Sequence, residues 1–142
     1  MTRINIGINP KELCDQMLLA EYRELPRMRQ FALDRKSKYD GYGPRPTQFT
    51  LGSGHMSYFL PFGGWLKDRW HSIVIEMLKR GFRADFEWQD YPFNDGMPDE
   101  SARPLLQERI ILRLSQMKRK PTWTNRDSPD WALSEQVYSN CA

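Results

Sequence analysis

Cysteine and histidine are scarce: the 142 residues hold Cys14, Cys141, His55 and His71 and no others of either kind. Two cysteines near opposite ends do not make a disulfide framework, and reduced thiols are expected. None of the four side chains falls at a zinc-ligand spacing, so neither a metal nor a cofactor is expected. Long apolar runs are also missing. No stretch approaches the ~18 residues that a membrane span needs, and Met1-Thr2-Arg3-Ile4-Asn5 has no apolar core of a secretory leader. A cytoplasmic chain with no membrane partner is therefore expected. No strand pattern of useful length and no internal repeat appears, which argues against sheet and solenoid architectures.

Basic residues are missing from one long stretch. Residues 84–102 carry Asp85, Glu87, Asp90, Asp95, Asp99 and Glu100 with no Lys or Arg. The remainder holds all 21 basic residues against 18 − 6 = 12 acids, a balance of +9 hidden inside a net charge of +3. Arg23, Arg27, Arg29, Arg35, Lys36, Lys38 and Arg45 lie close together. Separated basic and acidic regions suit a polyanion partner, although an ordinary solvated surface gives the same count.

Five Trp, six Tyr and seven Phe supply enough apolar surface for one compact domain over residues 1–142. The spacing predicts three helices, making the fold all-α with long ordered loops. The first opens at Asn9-Pro10-Lys11-Glu12, with Asn as cap and Glu three residues later, and runs to about Leu25 before Pro26. The second covers about Trp65–Arg80, with Leu66, Trp70, Ile73, Val74, Met77 and Leu78 inward and Gly81 closing it. The third covers about Pro104–Lys118, with Leu106, Ile110, Leu114 and Met117 inward. Residues 39–64, with six Gly and three Pro, and residues 84–102 read as loops.

Candidate chemistry concentrates in the first helix. Its apolar stripe is Leu13, Cys14, Met17, Leu18, Ala20 and Leu25, and Glu21 and Glu24 fall inside that stripe. A carboxylate on a buried face is costly unless it is paired or used. Each reads either as a structural acid paired with an arginine or an N-terminal amine or as a working carboxylate, and Glu24, near the helix end where a cleft could open, is the better acid–base candidate. Gln16, Arg23 and Arg27 share a polar arc suited to phosphates and base edges. Arg109, Arg113 and Lys120 read either as phosphate contacts or as a solvated face. Trp123 is expected to pack on the first helix, and His55 reads as a structural hydrogen-bonding residue.

Met1-Thr2-Arg3-Ile4-Asn5, AEYRELPR (20–27), LGSGH (51–55), MLKRGF (77–82) and KPTW (120–123) occur in an order that resembles the pyrimidine-dimer DNA glycosylases, the family of the T-even phage endonuclease V. Residues 28–45 and the segment after Trp123 depart from that pattern, and Met17 stands where the family has a polar His.

The resemblance implies a monomeric glycosylase with coupled abasic-site lyase activity, acting without cofactor on double-stranded DNA that contains damaged pyrimidines. It implies that removal of Met1 exposes the α-amine of Thr2 as nucleophile and that Glu24 is the catalytic carboxylate. It places Arg3, Gln16, Tyr22, Arg23 and Arg27 against DNA. The chemistry is coherent: an α-amine has an unperturbed pKa of about 7.7–8.0, against about 10.4 for lysine, so a useful fraction is neutral at physiological pH. Neighbouring Arg3, Arg23 and Arg27 favour its neutral form by like-charge repulsion. Two other readings fit the same residues: a glycosylase/lyase for another damaged or modified base, and a DNA-binding module without catalysis.

Overall fold

The computed structural model describes residues 3–51 and 54–132. Among these there are five α-helices and no strand: α1 (Asp15–Glu24), α2 (Arg27–Tyr39), α3 (His55–Tyr58), α4 (Gly63–Lys79) and α5 (Arg103–Gln116). Two 3-10 turns, Pro10–Glu12 and Glu100–Ala102, precede α1 and α5. The all-α expectation holds.

The longest helix, α4, forms where the apolar spacing is clearest. Trp65, Leu66, Trp70, Ile73 and Met77 are buried on one side, while Leu78, expected inward, is 58% exposed. At its end Gly81 takes φ +88°. The Phe82 amide donates to the Met77 carbonyl and the Gly81 amide to that of Leu78, closing the helix by the paired bonds that a left-handed residue permits. α5 likewise buries Leu106, Ile110 and Leu114 as expected.

The first predicted helix is divided. Asn9 does cap a turn, accepting from the Lys11 amide at 3.0 Å while Glu12 accepts from the Asn9 amide at 3.0 Å. That turn ends at Glu12, because Leu13 and Cys14 become extended. Both side chains thereby enter the core. The amide of Asp15 donates to the Thr122 carbonyl at 2.7 Å. A tertiary partner thus outcompetes continuation of the helix.

Pro26, which has no amide hydrogen, interrupts the ladder after Glu24, and the chain resumes as α2. That helix was not expected. It buries Met28 and Ala32 but leaves its cationic face in solvent, so it carries little apolar periodicity.

α1 packs along α4 and against α2, and one apolar core draws on the N-terminal isoleucines and on all five helices. The acidic segment 84–102 is a strap pinned by aromatics, with its acids turned outward. The Tyr22 hydroxyl accepts from the Phe86 amide at 2.7 Å, Trp88 lies against Trp70, and the Tyr91 hydroxyl donates to the Leu60 carbonyl at 2.8 Å. The Asp99 amide donates to the Tyr58 hydroxyl at 3.0 Å. The Tyr42 hydroxyl donates to Asp95, tying the Gly-rich loop to the same strap.

Candidate active site and nucleic-acid interface

The N-terminal segment is inside the protein. Ile4, Ile6 and Ile8 are almost fully buried, and Asn5 is buried between them. Gly7, at φ +76°, turns the chain where a Cβ would lie 2.8 Å from the Glu100 carbonyl oxygen and 2.9 Å from the Arg103 Cβ, so only glycine fits. Arg103 donates to the Gly7 carbonyl at 2.9 Å, tying the turn to α5.

Asn5 is the junction of the segment. Its backbone amide and Nδ2 donate to Glu21 Oε1 at 3.2 and 2.9 Å. The same Nδ2 donates to the Arg3 carbonyl at 3.0 Å, and Oδ1 accepts from Arg109 Nη2 at 2.9 Å.

Immediately before this junction, Arg3 lines a cleft of about 100 Å³ between the N-terminal segment, α1 and α5. Gln16, Met17 and Ala20 form its α1 wall, and Arg109, Ile110, Arg113 and Met117 its opposite side. No carboxylate is among these lining residues. Arg109 is not on a solvated face: it is buried, and that burial, with the Arg113 charge beside it, pushes its guanidinium down to about 10. Thr2 lies outside the described residues.

The two carboxylates on the buried side of α1 have different surroundings. Glu21 is fully buried and accepts from Arg69 Nε at 2.6 Å and Nη2 at 3.0 Å, besides Asn5. Arg69 also donates to the Ile8 carbonyl. Glu21 is therefore the paired structural acid that the helical wheel allowed. Glu24, 8% exposed, faces Arg27 at 4.0 Å, which is longer than a hydrogen bond. It follows Ala20 by one turn, so the stripe Gln16, Ala20, Glu24 and Arg27 continues from the cleft wall across the Pro26 break.

The expected DNA-contacting side chains do not share one environment. Arg3, Arg23 and Arg27 are exposed. Gln16 is engaged by the backbone: Nε2 donates to the Lys120 carbonyl at 3.1 Å and Oε1 accepts from the Thr122 amide at 3.3 Å. Tyr22 is buried, its ring stacked on Phe86 at 4.9 Å and facing Trp70 at 6.0 Å. Gln16 is half-buried in the cleft wall and Tyr22 is buried, and the polar groups of both have partners within the chain.

A second polar assembly lies at the opposite end of α1. Asp15 accepts from Arg80 Nη1 at 3.0 Å, Thr122 Oγ1 at 2.7 Å and Thr124 Oγ1 at 2.5 Å. Burial works against ionisation there, but the threonine hydrogen bonds with that of Arg80 hold the carboxyl below its ordinary value. Glu76 accepts from Arg80 at 2.9 Å and from Arg126 at 2.8 and 2.9 Å. The paired Arg103 hydrogen bonds hold the Glu12 carboxyl down to about 2, with help from Trp131. Trp123 donates to the Glu12 carbonyl at 3.0 Å, so it packs at the start of α1 as expected.

Sequence reasoning missed this assembly, because its partners lie up to 119 positions apart. The junction role of Asn5 was missed for the same reason. The available signal was a lone Asn among three alternating isoleucines.

The Cys14 thiol is buried and pushed up to about 11 by that burial, which leaves it unreactive. Among the described residues, no group of three or more His, Cys, Asp or Glu is arranged to hold a metal ion. No helix there is long and apolar enough to cross a membrane.

A family model described as pyrimidine dimer DNA glycosylase matches residues 1–90. The matched region contains the N-terminal segment, all of α1 and α2, the LGSGH stretch and all of α4, and it stops before α5 and the KPTW stretch. With well over half its length matched, the chain belongs to the pyrimidine dimer DNA glycosylase family and is a DNA-repair glycosylase by descent.

Proposed function

We propose that this protein excises ultraviolet-induced cyclobutane pyrimidine dimers from double-stranded DNA and then cleaves the strand as an abasic-site lyase. The α-amine of Thr2 is the nucleophile and Glu24 the acid–base residue. The amine attacks the sugar C1′ and forms a C–N bond as the glycosidic bond breaks and its electron pair leaves with the base. Glu24 relays a proton to the ring oxygen as the sugar opens, leaving an iminium between protein and DNA. Glu24, ionised again after that relay, takes a proton from C2′, and the 3′ phosphate departs with the C3′–O electron pair. Water releases the enzyme from the imine.

One observation supports this reading: Arg3, the first described residue, lines a cationic cleft whose α1 wall leads along one stripe to Glu24. The exposed Arg3, Arg23 and Arg27 hold phosphates around that cleft. Gln16 and Tyr22 serve the same surface indirectly, Gln16 by seating residues 120–122 and Tyr22 by seating the strap.

Ultraviolet-irradiated plasmid should be nicked and unirradiated plasmid spared, with nicking retained in excess chelator. Equal nicking of both plasmids would remove the dimer as substrate. Selective nicking of duplexes carrying a different damaged base would move the same chemistry to that lesion.

A further inference from the structure

We propose that Asn5 and Arg109 form a positioning pair that presents the N-terminal nucleophile, with Asn5 joining a buried cation on α5 to a buried carboxylate on α1. The inference rests on the α-amine reading above and adds two residues to it. The hydrogen-bonding inventory of Asn5 singles it out. Arg109 has donors only, Glu21 and the Arg3 carbonyl are acceptors, and an asparagine amide offers one of each kind. The amide can therefore sit in one orientation, Oδ1 toward Arg109 and Nδ2 toward Glu21 and the Arg3 carbonyl. Aspartate would set two carboxylates against each other, and leucine would leave both charged groups short of a partner.

Arg109 is an uneconomical choice for packing alone. It lies on the buried side of α5 between Leu106 and Ile110, where an apolar residue would avoid the desolvation of a cation. Its Nη2 instead fixes the direction of the Asn5 amide, and Asn5 fixes the carbonyl of Arg3. The hydrogen bond from Nδ2 thereby holds the backbone of Arg3, the residue that follows Thr2 in the chain. Glu21, with Arg69 behind it, anchors the other side of the junction. Arg109 acts through Asn5 and touches no reacting atom.

The test uses the full chain on a duplex with a single abasic site, at saturating enzyme, with borohydride trapping of the iminium as readout. Wild type, Arg109→Gln and Arg109→Lys are compared for melting, DNA affinity and trapping rate. Arg109→Gln should fold and bind DNA within about twofold of wild type but trap on the order of 10- to 100-fold more slowly, the cost of a nucleophile displaced by about 1 Å. Arg109→Lys, which keeps the charge and one donor toward Asn5, should recover part of that rate.

An unchanged trapping rate in folded Arg109→Gln would overturn the proposal. So would a defect confined to affinity and its salt dependence, which would make Arg109 a phosphate contact. Failure of both variants to fold would assign the pair to stability alone, with the same consequence. Absence of trapping in the wild type would contradict the α-amine reading itself, so the two failures are distinguishable.

Discussion

The two ends of α1 carry similar charge and use it in opposite ways. At the start, Asp15 is held by Arg80, Thr122 and Thr124, and the nearby Glu12 and Glu76 are gripped by arginines in paired hydrogen bonds. At the finish, Glu24 is nearly as buried, yet its arginine stands 4.0 Å away and is 70% exposed. Arg23 projects into solvent beside it. Burying a charge with all its partners present gives a fixed joint. Burying one with a loose partner leaves hydrogen-bonding capacity that a substrate can use. The first end fastens the segment 120–132 to the helix, and the second carries the proposed acid–base residue.

The comparison breaks most decisively at Glu24. Glu24→Gln should keep the fold and lesion binding while strand cleavage falls by about 10²–10⁴, the range for loss of a positioned acid–base group. Single-turnover cleavage beside a thermal melt measures both. A folded glutamine variant that cleaves at the wild-type rate would make Glu24 another structural acid.

Glu21 should show the inverse pattern. Replacing Arg69 by Met strands the Glu21 carboxylate in the core and should cost about 3–5 kcal/mol, as breaking a buried pair does. Denaturant unfolding would show this as a lower midpoint. A midpoint equal to wild type would mean that the junction with Asn5 satisfies Glu21 without Arg69.

Acid should act on the start of α1. Glu12 titrates at about 2 in the folded chain against an ordinary 4.5, so the stability it contributes is fully present above pH 4.5 and is lost as pH falls toward 2. Glu12→Gln should therefore melt below wild type near neutrality, and the gap should close through that window. A gap independent of pH would show that Arg103 does not stabilise the ionised form.

The smallest effect is expected at Arg27. Its exposed side chain suits a phosphate contact on duplex DNA, and each such contact contributes about −0.9 to the slope of log K against log salt. Arg27→Gln should flatten the slope by nearly one unit, measured by titration at several salt concentrations. An unchanged slope would place Arg27 off the DNA.

Legibility followed the range of the interactions. α4 and α5 were readable because apolar spacing over four or five turns depends on neighbours three and four positions away. α2 was not, since a helix that buries little beyond Met28 and Ala32 leaves almost no periodic trace. The Asn9 capping signal was genuine, but the Thr122 carbonyl bonded to the Asp15 amide restarts the helix five residues later than the signal predicts.

In the site, the two glutamates on the apolar stripe were visible as an anomaly, and the wheel allowed their different fates. It could not show which arginine reaches Glu21, 48 positions away. Tyr22 and Gln16 have the residue types of a binding surface, yet the strap and the 120–122 backbone take up their polar groups.

The central claim is that the chain's own terminal amine is the nucleophile. Borohydride added during turnover on dimer-containing DNA should yield a covalent protein–DNA adduct, and peptide mapping should place it on the N-terminal peptide, at Thr2. Thr2→Ala should still form it, because the attacking atom is the backbone nitrogen. A residue inserted between Met1 and Thr2, or a methylated terminus, should abolish both adduct and cleavage. An adduct on a lysine, or full activity with the terminus blocked, would contradict the account.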